Sequence, residues 1–381
     1  MTDAFIIAGR RTPVAVRNGA FRELEAWELA APVVEAALDD AGLRPDQVDE
    51  VILGNALYGG GNPARMTSLA AGLPVNVPAS TVDTQCCSGI DTIGLAAAKV
   101  TSGMANVVIA GGLESYSRSP IRQRRPKSAC DVPVAYDSPP FSPWPEHDPD
   151  MIASAANLAA QRCIRRSAQD AYAVESHRRA GAQSASPEEI VAVAGMHADE
   201  FTRRLSPRLC ARLQPLEGDD DFGVTAATTA VEADAAAVVV VTNDKAVGAP
   251  SKKVRRPARL LGVKAQGGDT AYPALAPIAP AVELLTQFGI APQEVTVTEM
   301  MEAFAVQAMV CIEEIGLEPS RVNCRGGALA WGHPIGASGA ILAVRLFHAL
   351  RSGDPGDIGL AAIAAAGGLG SAMLLQAEGG R

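Results

Sequence analysis

Gly42-Leu43-Arg44-Pro45-Asp46-Gln47-Val48 follows a helical stretch that begins Ala31-Pro32-Val33-Val34-Glu35. Gly289-Ile290-Ala291-Pro292-Gln293-Glu294-Val295 follows one that begins Ala279-Pro280-Ala281-Val282-Glu283. The two glycines stand 247 residues apart. Each stretch has the same grammar: a helix, a glycine that stops it, a proline-led turn and a β-branched residue that opens a strand. A second echo runs in the same order, Ala110-Gly111-Gly112-Leu113 against Ala366-Gly367-Gly368-Leu369, 256 residues apart. Two matches at nearly one offset predict a duplicated unit, whose copies pack face to face with a site at their junction.

Outward from these turns, short apolar runs alternate with Ala-rich helical stretches, the pattern of an α/β fold. Residues 48–54, 106–110 and 235–241 read as strands, the last apolar throughout and so buried on both faces. Residues 30–40 and 154–180 read as helices. Residues 118–150 differ in kind, with Arg122-Gln123-Arg124-Arg125-Pro126-Lys127 and the proline-rich run 138–145. The expected division is a first half of 1–117 plus 222–247, an inserted loop domain of 118–221, and a second half of 248–381.

The bulk properties exclude several classes. A formal charge of −9 argues against nucleic acid as a partner. The most apolar run is too short to cross a bilayer, and the chain reads as cytoplasmic. Seven cysteines without a Cys-x-x-Cys spacing, and five scattered histidines, favour neither a disulfide framework nor a metal site.

Two segments can carry chemistry. In Thr81-Val82-Asp83-Thr84-Gln85-Cys86-Cys87-Ser88-Gly89, a polar turn precedes a helical run, which sets Cys86 at a helix N-terminus. Free N–H groups and the helix dipole favour a thiolate there. In Gly332-His333-Pro334-Ile335-Gly336-Ala337-Ser338-Gly339, one histidine is enclosed by glycines. Taken alone, each residue is more often structural. His333 follows Cys86 by 247 residues, the offset of the two Gly-x-x-Pro turns. Equivalent turns of two facing halves bring a nucleophile and a base together. Backbone N–H groups beside Cys86 and around Ala366 and Gly367 are the expected oxyanion donors.

At this point the chain resembles the thiolases over essentially its whole length. Arg11-Thr12-Pro13, Gly61-Asn62-Pro63-Ala64-Arg65, Thr81 to Gly89, Ala110 to Ser115, Met301-Glu302-Ala303-Phe304-Ala305 and Gly332 to Gly339 carry the resemblance. It implies a five-layered α/β/α/β/α fold of two similar halves, with a loop domain inserted in the first. It implies an acyltransferase, with Cys86 as the acylated cysteine and His333 as the base. It also implies coenzyme A thioesters as substrates, no cofactor, and a homodimer or homotetramer. Met301 and Glu302 fall on the family's Asn-Glu-Ala-Phe segment, an oxyanion- or substrate-binding position.

The departures narrow the chemistry. The family's second cysteine, which moves the α-proton, is matched by Ala364, and its Asn by Met301. Its Gly-Asn-x-Ser-Gly stretch is matched by Ala227-Thr228-Thr229-Ala230-Val231. A methyl accepts no proton and a thioether donates no hydrogen bond. Three readings follow: carbon–carbon bond chemistry with altered machinery; acyl transfer to an amine, thiol or ring carbon, or from a carrier protein; and a non-catalytic scaffold. Phosphate contacts are expected from Arg122, Arg124, Arg125 and Lys127, or from Lys252, Lys253, Arg255 and Arg256.

Overall fold

The computed structural model describes residues 3–182, 187–243 and 256–379. In the first half the principal elements are β1 (Ala4–Arg11), α1 (Ala26–Ala41), β2 (Glu50–Gly54), α2 (Pro63–Ala70), β3 (Ala79–Val82), α3 (Ser88–Thr101) and β4 (Val107–Glu114). The insertion carries α4 (Met151–Gln161) and α5 (Arg166–Ala182), and β5 (Ala233–Asn243) completes this half. The second half runs β6 (Ala258–Gly267), α6 (Ile278–Phe288), β7 (Val295–Met300), α7 (Ala305–Ile315), α8 (Ile335–Arg351), β8 (Ile358–Ala365) and β9 (Leu369–Ala377).

The strand order is β7-β8-β9-β6-β1-β5-β4-β2-β3. From the central β1–β6 contact outward, each half repeats one scheme: its first strand, its last, the strand before that, then its second. The pairing sense repeats too. β5 is antiparallel to β1 and β4, while β2 is parallel to β4 and β3. β9 is antiparallel to β6 and β8, and β7 is parallel to β8. A parallel bridge from Thr298 to Val322 stands where β3 stands in the first half.

The duplication read from the turns is therefore present in the topology. Gly42 and Gly289 each end a helix in the left-handed conformation, at φ 66° and 65°, and each precedes a short 3-10 turn. The second echo is not an equivalence. Ala110–Leu113 lie within β4, whereas Ala366-Gly367-Gly368 form the turn between β8 and β9. A glycine pair between apolar residues serves both a crowded strand and a tight turn, so the match arises without common position.

Side-chain alternation along the strands builds the layers. Val239 and Val241 of β5 face a core shared with α3 and α8, while Val238 and Val240 face α1 and α2. In β8, Ala361 and Ile363 face the same central helices, while Leu360 and Ala362 face α6 and α7. The result is helices, sheet, central helices, sheet, helices. A helix enclosed by two sheets is apolar all round, and α8 is buried at nearly every position, Gly336–Phe347 without a break.

One expectation needs correction. Residues 154–180 form two helices, because Cys163 enters the left-handed region at φ 53° and ends α4. The 118–221 segment packs against both halves. Residues near Glu189 and Val191 bond to the backbone of Arg11 in β1, and α5 docks on the second half through Tyr172, Ser176 and Arg179. The boundary at 247–248, and Lys252, Lys253 and Arg255, lie outside the described residues.

Candidate active site

The polar turn after β3 and the start of α3 aim Cys86 at the junction of the halves. Gln85 takes a left-handed φ of 54°, and a 3-10 turn over Gln85–Cys87 leads into α3. The turn is braced from α3: Ser88 Oγ donates to the Gln85 carbonyl at 2.6 Å and accepts from Thr84 N–H at 2.9 Å. Asp91 accepts from Thr84 Oγ1 and, across the junction, from Ser371 Oγ, both at 2.6 Å. Such bracing holds a left-handed residue that would otherwise relax.

His333 comes from the turn before α8. Gly332 has φ 108° and ψ 177°, a conformation open to glycine alone, and it swings His333 toward Cys86. His333 N–H then donates to the Val231 carbonyl at 2.7 Å. The two central helices cross where glycines face each other. A Cβ on Gly89 would stand 2.2 Å from Ala340 N, and one on Gly339 2.7 Å from Ile90 N. Ser88-Gly89 and Ser338-Gly339 are thus the equivalent pairs, at an offset of 250. Cys86 and His333 are not strict counterparts, as their shared offset of 247 implied, but both sit just ahead of the crossing.

There His333 Nε2 is 3.1 Å from Cys86 Sγ. His333 Nδ1 is 2.7 Å from Ser338 Oγ, which lies 3.0 Å from the Pro334 carbonyl. A carbonyl only accepts, so the single Ser338 hydroxyl proton goes to it, and Ser338 accepts from Nδ1–H. That fixes the tautomer with the Nε2 lone pair toward the thiol.

Burial pushes the Cys86 thiol up to about 12, while the N–H groups of Cys86 and Ala366 act on the sulfur in the opposite sense. Burial pushes His333 down to about 4. Desolvation thus opposes the helix terminus, and both shifts favour the neutral thiol and the neutral imidazole over the ion pair.

The pair lines a cavity of about 770 Å³, together with Ala364, Ala365, Ala366, Tyr116, Glu232 and Arg122. Tyr136, Phe141 and Met151 of the insertion line it too. Three expected contacts fall elsewhere. Met301 is fully buried in the central core, because its N–H continues the sheet onto the Ala362 carbonyl. Glu302 is buried away from the cavity lining, where its carboxylate accepts from Tyr172, Ser176, Asn323 and Leu329 N–H. Gly367 turns toward Phe141 rather than into the cavity; Ala366 is the residue that lines it. Among the basic groups, Arg122 lines the cavity, Arg124 stacks on Tyr136, and Arg256 bonds to the Gly353 carbonyl.

Sequence reading passed over Ser338 and Tyr116. Ser338 carried a signal, a hydroxyl one helical turn past the histidine. Tyr116 lies one residue beyond a recognised motif and carried none.

Among the described residues, no helix is long and apolar enough to cross a membrane, and no three metal-binding side chains cluster. Residues 4–245 match the model of the thiolase N-terminal domain, and 254–377 that of the thiolase C-terminal domain. The chain is 37% identical to YhfS of Bacillus subtilis (strain 168), whose acetyl-CoA C-acetyltransferase name is provisional, over 98% of this chain and 99% of that protein. It is 36% identical to the acetyl-CoA acetyltransferase of Thiocystis violacea, over 99% and 100%. The thiolase Acat5 of Ascaris suum, solved with coenzyme A, superposes with a TM-score of 0.89 at 31% identity, over 98% and 99%. A duplicated fold, matched end to end by sequence and by structure, makes this chain a member of the thiolase family and an acyltransferase of that type.

Proposed function

We propose that the protein transfers acyl groups between coenzyme A thioesters through an acyl-thioester on Cys86, with His333 as proton carrier, in making or breaking a carbon–carbon bond. The observation that carries this reading is the 3.1 Å contact between Cys86 Sγ and the unprotonated Nε2 of His333 inside the cavity. As sulfur attacks the thioester carbonyl, the thiol proton passes to Nε2. The oxyanion that forms faces the N–H groups of Cys86 and Ala366. Collapse breaks the bond to coenzyme A, and its thiolate takes the proton from His333.

Acetyl-CoA is the first donor to consider, since the names of the relatives given above specify it. The reaction needs no cofactor. Arg122 in the cavity wall is the described cation best situated to meet the donor. Transfer to other acceptors, delivery by a carrier protein and a scaffold role are not favoured: the relatives are named as acetyl-CoA acetyltransferases, and the nucleophile–base pair is in contact.

The working form we propose is a cytoplasmic homo-oligomer. β3 is an edge strand flanked by exposed Met66, Leu69 and Val75, the last 79% accessible, which suits pairing with a second copy. All seven cysteines are free thiols, consistent with a reducing compartment.

Intact-protein mass spectrometry after incubation with acetyl-, butyryl- and octanoyl-CoA tests the central claim. An added acyl mass in wild type but not in Cys86→Ala is expected. Wild type without an adduct from any donor would overturn it.

A further inference from the structure

Acylation occupies Cys86 and leaves the second substrate to be activated. Ala364 presents only a methyl to the cavity, and Met301 is shut in the core. Tyr116 lines the same cavity as Cys86 and His333, and no described residue pairs with its hydroxyl. Its backbone is fixed on both sides. Ser115 Oγ donates to the Leu24 carbonyl at 3.0 Å, and Ser117 N–H to Asp234 Oδ1 at 3.0 Å. The Arg17 guanidinium lies 6.0 Å from the ring centroid and is itself ion-paired to Glu232 at 2.7 Å. The ring is therefore held in place while its hydroxyl is left free for a ligand.

We propose that this enzyme activates its second thioester without a second thiol: His333 Nε2 takes the α-proton, and the Tyr116 hydroxyl donates a hydrogen bond to the enolate oxygen. The proposal rests on the reading of Cys86 as acyl carrier. Once Cys86 is acylated its sulfur bears no proton, so the Nε2 lone pair beside it is unengaged. The α-carbon of the second thioester gives its proton to Nε2, and the C–H electron pair moves into the enolate. The enolate carbon attacks the acyl carbonyl, a carbon–carbon bond forms, and the carbon–sulfur bond to Cys86 breaks. The departing thiolate takes the proton back from His333, 3.1 Å away. No proton is gained or lost, and Tyr116 keeps its own throughout. Burial first, and the Glu232 carboxylate second, raise the phenol well above its ordinary value; it stays a donor at neutral pH.

Other lining hydroxyls fit less well. Tyr136, just past an exposed two-stranded ribbon, is engaged by Arg124, whose guanidinium lies 5.3 Å from its ring centroid. Thr229 is the serious competitor, because its buried Oγ1 has no partner and it too lines the cavity.

The test follows two half-reactions with methyl-deuterated acetyl-CoA in ordinary water: acetyl mass on Cys86, and loss of deuterium from the acetyl-CoA. Wild type is expected to show both. Tyr116→Phe should acylate within about threefold of wild type and exchange on the order of 100-fold more slowly, the usual loss for one oxyanion donor. Thr229→Val should change neither by more than about threefold. Exchange at the wild-type rate in Tyr116→Phe, equal slowing of both half-reactions, or the loss appearing in Thr229→Val would overturn the role of Tyr116. Wild type that acylates without exchanging would overturn the role of His333 as α-base. Wild type that does neither overturns the acyl-carrier reading itself.

Discussion

Ser338 Oγ lies 2.7 Å from His333 Nδ1 and directs its own proton to the Pro334 carbonyl. One hydroxyl on the first turn of a buried helix thereby decides which nitrogen of the histidine is basic. Ser338→Ala removes that choice without touching substrate. It is expected to lower kcat by roughly 10- to 100-fold, the range for loss of an orienting partner, with KM within about twofold. Steady-state kinetics check it; an unchanged kcat would show that the turn alone orients the ring.

The adjacent cysteines should separate cleanly. Cys86 Sγ faces the cavity and His333, whereas Cys87 is fully buried with its thiol toward the Ile363 and Leu369 carbonyls. Cys86→Ala is expected to abolish turnover with the melting temperature preserved. Cys87→Ala removes one small buried atom and should cost about 1 kcal/mol of stability, with activity within about threefold. A loss in Cys87→Ala as large as in Cys86→Ala would mean that the nucleophile is misassigned.

These contrasts show what the sequence makes legible. The duplicated halves are written in the glycine-stopped helices at Gly42 and Gly289, since a left-handed helix end and a proline turn leave a local signature. The Cys86–His333 pair is legible for the same reason, each residue sitting in a turn whose composition has few uses. Met301 and Glu302 mislead because a motif gives order along the chain, not direction. One residue continues a sheet and the next is claimed by donors from α5, 130 residues distant at Tyr172. The charge state of Cys86 is not legible either. Position at a helix start argues for a thiolate, and only the packed cavity reveals the desolvation that opposes it.

Glu302 is expected to matter for stability rather than chemistry. Its carboxylate receives three side-chain donors and one backbone N–H, and the Gly327 backbone approaches so closely that a Cβ there would sit 2.2 Å from its carboxyl carbon. Glu302→Ala strands these donors in a buried site, at a cost of roughly 3–5 kcal/mol. Calorimetry should show a melting temperature lowered by several degrees, while Cys86 acylation of the folded fraction stays within about threefold. Acylation lost at an unchanged melting temperature would return Glu302 to the active site.

The pH dependence follows from the same burial. His333 is held at about 4, so its imidazole remains a neutral base until the pH falls through that value. In brief assays at limiting substrate, the acid limb of kcat/KM should therefore lie near pH 4 rather than near 6.5, the ordinary histidine value. Stability moves in the same direction. His177 is also lowered to about 4, by burial first and by the nearby Arg203 second. Between pH 6.5 and 4 the unfolded chain binds protons that the folded chain refuses at both histidines. Their contribution is whole above pH 6.5 and is lost as the pH falls through about 4. Urea midpoints should decline across that window, by less in His177→Gln than in wild type, whereas the acid limb of activity should not move in that variant. An acid limb near 6.5 in wild type would mean that the imidazole is solvated in the working enzyme, and that the neutral pair is not the resting state.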